Sequence, residues 1–110
     1  MHSFNGTLEY IKDKTPYYIF REFQVYKYDD KTSLVHDTAD NEIVFIKVTD
    51  GIFGHPYLKD FHREDGPAYI AEHFSRFFMD DKEYTFDTWL KKTPLSEQEK
   101  LKLRLQYAGA

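Results

Sequence analysis

A chain of 110 residues encloses one core, and its formal net charge of −4 comes from 15 basic and 19 acidic residues that are interspersed. That balance predicts little non-specific affinity for nucleic acid, whose phosphates demand a basic patch. With no cysteine, the chain excludes disulfides, thiolate zinc sites and cysteine nucleophiles.

Aromatic residues make up 18% of the chain, mainly nine Tyr and ten Phe spread along its length, so the core is expected to be built from rings. The opening MHSFNGTLEYIKDK has no basic start followed by an apolar run, so it does not read as a signal peptide. No apolar stretch is long enough to span a bilayer, and a cytoplasmic location is the expectation.

In chain order, Tyr17 to Tyr28 (YYIFREFQVYKY) predicts one strand with a bulge near Arg21-Glu22, with Phe23 and Val25 on one face and Gln24 and Tyr26 on the other. Asp29-Asp30-Lys31 is a polar turn, and Thr32 to Asp37 returns as a strand. After a loop at 38–41, Glu42 to Thr49 (EIVFIKVT) is apolar on both faces, which predicts a central strand. Asp50-Gly51 ends it, and Gly54-His55-Pro56 marks irregular chain.

Tyr57 to His62 is a further strand candidate, followed by an aromatic hairpin arm over Ala68 to Phe74 and Arg76 to Met79. Asp80-Asp81-Lys82 then turns the chain into a short edge strand, Glu83-Tyr84-Thr85. Phe86 to Lys92 predicts a helix capped by Thr85 and halted before Pro94. Ser96-Glu97-Gln98-Glu99 is a capping box opening a second helix over 96–108, with Gly109 as its stop. The expected fold is α+β: a single domain over 1–110, with an antiparallel β-sheet of about five to seven short strands followed by two C-terminal helices.

The stretch HREDGPA, residues 62–68, holds an imidazole, a guanidinium and two carboxylates. Read structurally, Asp65, Gly66 and Pro67 make a sharp chain reversal, with Gly66 free to take positive φ, and a strand starts at Ala68. His62 and Glu64 then project to one side, and Arg63 and Asp65 to the other. Arg63 can pair with a neighbouring carboxylate, and His62 can hydrogen-bond across the hairpin. Read as a site, His62 and Glu64 could share a divalent metal with His73 or His55, as a hydrolase or nuclease would, or Asp65 could orient His62 as a general base. The spacing matches neither the helical His-Glu-x-x-His pattern nor a zinc deaminase with its cysteine pair, so the structural reading is preferred. No catalytic residue, metal or cofactor is assigned.

FHREDGPAYI, the polar turn MDDKEYT and the Phe-x-x-Trp-Leu helix together resemble small tailed-bacteriophage proteins. In those, a unit beginning His-Arg-x-Asp-Gly-Pro-Ala forms a MORN-like β-hairpin. The resemblance runs from Phe61 to the C-terminus with a single copy of the unit. Asp80-Asp81 replaces the usual tip glycine, and Phe77-Phe78 replaces the usual tryptophan of the arm. The resemblance implies no catalytic residue. It implies a phage-type accessory protein that binds a host or phage protein, such as an inhibitor of a CRISPR effector or another host defence. A structural virion component is the further alternative.

The remaining candidates are weighed on position. The five histidines (2, 36, 55, 62 and 73) read as ordinary polar residues. Tyr17-Tyr18-Ile19-Phe20 lacks the interleaved cations of a base-stacking platform, apart from Arg21, and reads as packing. On the last helix, Leu101, Leu105 and Ala108 make the stripe expected to dock on the sheet. Leu103 and Tyr107 fall off that stripe, so either the helix is buried on two sides within the domain or a second apolar patch faces outward; on the second reading they are the expected partner-binding pair.

Overall fold

A computed structural model describes residues 3–47 and 60–108. A helix, α1 (Ser3–Ile11), precedes seven strands: β1 (Tyr18–Phe20), β2 (Phe23–Lys27), β3 (Thr32–Asp37), β4 (Glu42–Lys47), β5 (Tyr69–Ile70), β6 (Ser75–Met79) and β7 (Lys82–Tyr84). Helices α2 (Phe86–Lys92) and α3 (Glu97–Leu103) follow, and α3 runs into a π-helical segment, Arg104–Ala108. The strands form one antiparallel sheet in sequential order, so the α+β expectation holds. The expected end of β4 at Val48-Thr49, the breaks at Asp50-Gly51 and Gly54-His55-Pro56, the strand candidate before Asp60, and Gly109 all lie outside the described residues.

Strand β4 is the middle strand of seven, and both its faces are buried, as its sequence predicts. On one face Tyr26, Leu34, Ile43, Phe45, Ala68 and Ile70 form a core that α1 joins through Ile11 and Leu8. On the other, Phe23, Val25, Val35, Val44 and Ile46 pack together, with Val25, Val35 and Val44 in register across three strands. A third cluster lies at the C-terminal end, where α2 places Trp89 and Leu90 on Phe77 and Met79 of β6.

Two expectations are corrected along the strands. The segment Tyr17 to Tyr28 is not one bulged strand. It turns at Arg21-Glu22, with Phe20 paired to Phe23 and Arg21 held at φ 55°. The turn carries no Gly or Asn, the residues that ordinarily announce such a φ. The Ala68 to Phe74 arm shrinks to a two-residue strand, and Phe61 makes only an isolated bridge to Ile46.

The caps behave as read. The Thr85 hydroxyl accepts from the Thr88 amide, and Ser96 and Glu99 complete their capping box. Asp29 closes the β2–β3 turn by accepting from the amides of Lys31 and Thr32 and from the Thr32 hydroxyl. Burial works to raise its pKa, but these hydrogen bonds outweigh it and hold the carboxyl below its ordinary value.

Candidate functional site

The HREDGPA segment is not the expected chain reversal. Phe61 pairs with Ile46 and Tyr69 with Val44, both antiparallel to β4. The chain therefore continues in one direction, with six extra residues looped out between the two contacts. Both ends of the loop meet Phe45: the His62 amide donates to the Phe45 carbonyl at 3.0 Å, and the Phe45 amide donates to the Ala68 carbonyl at 2.7 Å. On the far side the Arg63 amide donates to the Phe78 carbonyl at 3.2 Å, and the Ala68 amide donates to the Arg76 carbonyl at 3.0 Å. The segment is thus an outsized bulge wedged between β4 and β6.

Its side chains pair as the alternation predicts. His62 Nε2 lies 3.2 Å from Glu64, and Arg63 Nε donates to Asp65 at 2.7 Å. The Arg63 side chain is 14% exposed, and its guanidinium turns inward over the Phe45 ring, 4.1 Å from its centroid. It donates also to the Pro67 carbonyl at 3.1 Å and to the Tyr28 hydroxyl at 3.3 Å. Tyr28 in turn donates to Asp65 at 2.5 Å, so Arg63, Asp65 and Tyr28 close a ring of polar contacts.

Gly66 is corrected in its role. Its φ is not left-handed; instead a β-carbon there would stand 2.8 Å from the Arg63 Cζ. The glycine makes room for the guanidinium. Two further ties come from α2 and its C-cap: Trp89 Nε1 donates to the Arg63 carbonyl at 3.1 Å, and the Thr93 hydroxyl donates to the Glu64 carbonyl. Sequence reasoning passed over Tyr28, Phe45, Trp89 and Thr93 here. The one available signal was Trp89, because a buried indole N–H needs an acceptor.

Burial, partly offset by the Arg63 charge and reinforced by the Asp65 hydrogen bond, pushes the Tyr28 phenol up to about 12. Its folded pKa lies above the ordinary phenol value, so this contribution is intact below about pH 10 and is lost as pH rises toward about 12. Alkaline unfolding should therefore start at lower pH in the parent than in Tyr28→Phe, once each is referred to its own stability at neutral pH. Equal alkaline profiles, read by circular dichroism, would remove Tyr28 from that role.

Among the described residues, no histidine joins a group of candidate metal ligands. His62 is buried, with Nδ1 accepting from the Asp80 amide at 3.0 Å. His73 is exposed and lies 3.1 Å from Glu72, and His36 lies 3.2 Å from Asn41. Among the described residues the one group of three candidate ligands within 4.8 Å of each other is Asp37, Asp40 and Glu42, so His62, Glu64 and His73 are not brought together. His2 and His55 lie outside the described residues.

The three acidic residues border a hollow of about 260 Å³ walled by Phe23, Val35, Val44, Phe61 and Tyr69. Asp37 already accepts from the amides of Ala39 and Asp40. Burial and a hydrogen bond to Glu42 push the Tyr69 phenol up to about 12. A second hollow of about 230 Å³, between α1 and the end of α3, includes Thr7, Tyr10, Arg63, Asp65, Gln106 and Tyr107.

On the C-terminal helix the expected faces are reversed. Leu103 and Tyr107 pack against the third cluster, with the Tyr107 ring edge-on to Phe77 at 5.4 Å and 5.9 Å from Phe86. Leu101 and Leu105 point outward, 57% and 77% exposed. Leu101 and Leu103 lie on opposite faces of α3 whatever follows them, so packing decides which face turns inward, and the rings of Phe77 and Phe86 receive Tyr107 on the Leu103 side. Of the Tyr17–Phe20 run, Tyr18 and Phe20 pack on the sheet while Tyr17 and Ile19 are exposed.

No protein-family model matches the chain, and neither a curated protein nor a solved structure does. No described helix is long and apolar enough to cross a membrane.

Proposed function

We propose that the protein acts by binding another protein through the outer face of α3 and the π-helical segment that continues it. The observation that carries this reading is the exposed pair Leu101 and Leu105, four residues apart on a helix whose opposite side is anchored by Leu103 and Tyr107. Two leucines at that spacing are the anchors an amphipathic helix lays into an apolar groove. The exposed Lys102 and Arg104 beside them favour a groove with an acidic rim. A second copy of the same helix fits less well, because antiparallel pairing of Leu101 with Leu105 would set Lys102 against Arg104.

The resemblance of 61–110 to small tailed-bacteriophage proteins supports an accessory gene product. An inhibitor that blocks a host defence protein sterically, as an anti-CRISPR protein would, is the corresponding role. The partner-binding residues are then Leu101 and Leu105 in place of Leu103 and Tyr107. Tagged protein should capture a single bacterial complex from lysate, identified by mass spectrometry. Replacing Leu101 and Leu105 together with Ser should abolish that capture, since losing interface anchors costs on the order of 2 kcal/mol or more. The fold should change by only about 0.5 kcal/mol per site. Unchanged capture by the double variant would overturn the assignment.

A further inference from the structure

We propose that His62 is a proton-operated latch on the β6–β7 hairpin. The hairpin tip is Asp80-Asp81, both at positive φ (52° and 66°), a conformation that Asp tolerates better than most non-glycine residues but that glycine favours. What holds the tip is the 61–62 stretch. The Asp81 amide donates to the Phe61 carbonyl at 2.8 Å, Asp81 Oδ1 accepts from the Phe61 amide at 3.2 Å, and the Asp80 amide donates to His62 Nδ1 at 3.0 Å.

The last bond fixes the tautomer. A nitrogen that accepts from an amide carries no proton, so the neutral ring bears its proton on Nε2 and donates it to Glu64 at 3.2 Å. When a second proton arrives it can go only to Nδ1, where it meets the Asp80 N–H head-on, donor against donor. The amide bond is lost. An acceptor stands nearby, because Asp80 Oδ1 lies 3.8 Å from Nδ1 and is engaged by Lys47.

Protonation thus exchanges a backbone tie for a side-chain one: the imidazolium takes the Asp80 carboxylate, which Lys47 gives up or shares. The charged groups facing the ring are Glu64 on its own segment and Asp80 on the hairpin, with Lys31 of the β2–β3 turn behind the first and Lys47 of β4 behind the second. Both near neighbours are carboxylates and receive an imidazolium well. The tip, freed of its amide bond, loses one of the three ties that anchor it to the 61–62 stretch. Acidification therefore loosens the β6–β7 hairpin from the bulge.

Nuclear magnetic resonance spectra of the full chain, recorded from about pH 8 to about pH 5, test this over the range in which imidazoles ordinarily titrate. At the upper end the His62 ring nitrogens should show the Nε2–H tautomer. On acidification the Asp80 amide should shift with the same midpoint as the His62 ring. In His62→Asn, whose side-chain oxygen can stand where Nδ1 stood without titrating, the Asp80 shift should vanish while the other amides keep their positions. An Nδ1–H tautomer at about pH 8, or an Asp80 shift whose midpoint departs from that of the ring, would overturn the latch. So would an Asp80 shift that persists in His62→Asn. The tautomer and the shared midpoint are read on the unmodified protein, so they decide the matter even where the variant fails to fold.

Discussion

Trp89→Ala should lower stability by about 3–5 kcal/mol, a large share of the roughly 5–15 kcal/mol that holds a domain of this kind together. Trp89 is completely buried and carries the third cluster, touching Phe77 at a centroid distance of 4.9 Å and Phe86 at 6.4 Å. It also donates its indole proton to the Arg63 carbonyl, so one side chain joins α2 both to β6 and to the bulge. Trp89→Phe separates these contributions. It keeps most of the ring packing but leaves the Arg63 carbonyl without that donor, which should cost about 1–3 kcal/mol. Urea unfolding followed by circular dichroism gives both values. A Trp89→Ala protein within about 1 kcal/mol of the parent would show that the C-terminal helices are not held through this residue.

Arg63→Ala should cost about 2–4 kcal/mol. The loss comprises three side-chain hydrogen bonds and the guanidinium plane over Phe45. Arg63→Lys keeps the charge but not the planar fork, so it should recover less than half of that loss. Gly66→Ala should act through the same contact. Its new methyl group meets a guanidinium pinned by Asp65, Pro67 and Tyr28, and displacing it should cost about 1–2 kcal/mol. The test is a double-mutant cycle. Because both changes remove the same guanidinium contacts, Arg63→Ala with Gly66→Ala should cost clearly less than the sum of the single changes. Additive costs would separate Gly66 from Arg63.

Features encoded over four or five residues were legible in the sequence. The Thr85 and Ser96 caps, the Asp29 turn and the span of α2 all depend on side chains bonding to backbone close by. Features settled by distant partners were not. Helix α1, SFNGTLEYI, carries Gly, Asn and Thr with no acidic residue in its first turn, so propensity argues against it; docking of Leu8 and Ile11 on the sheet decides it. Gly66-Pro67 looks like a reversal from its own residues. Only the pairing of Phe61 and Tyr69 along the same strand shows that the chain goes straight on. At the candidate surface, helical period sets Leu101 and Leu105 apart from Leu103 and Tyr107 but does not say which pair faces the sheet. The distant rings of Phe77 and Phe86 decide it by taking Tyr107 inward. The pairing of His62 with Glu64 and of Arg63 with Asp65 was readable from alternation, whereas the Tyr28, Phe45 and Trp89 contacts with Arg63 span 18 to 35 residues.

The sequential strand order has a kinetic consequence. Each strand's partner is the one made just before it, so apart from the long β4–β5 connection the sheet can zip hairpin by hairpin with little loop-closure entropy. A nascent chain could lay down β1 to β4 before the remainder has been synthesised. The exception is the bulge, whose carbonyls at Arg63 and Glu64 wait for donors from α2 and its C-cap. Indole fluorescence should therefore report the closing event of folding, after the far-ultraviolet signal of the sheet has already appeared.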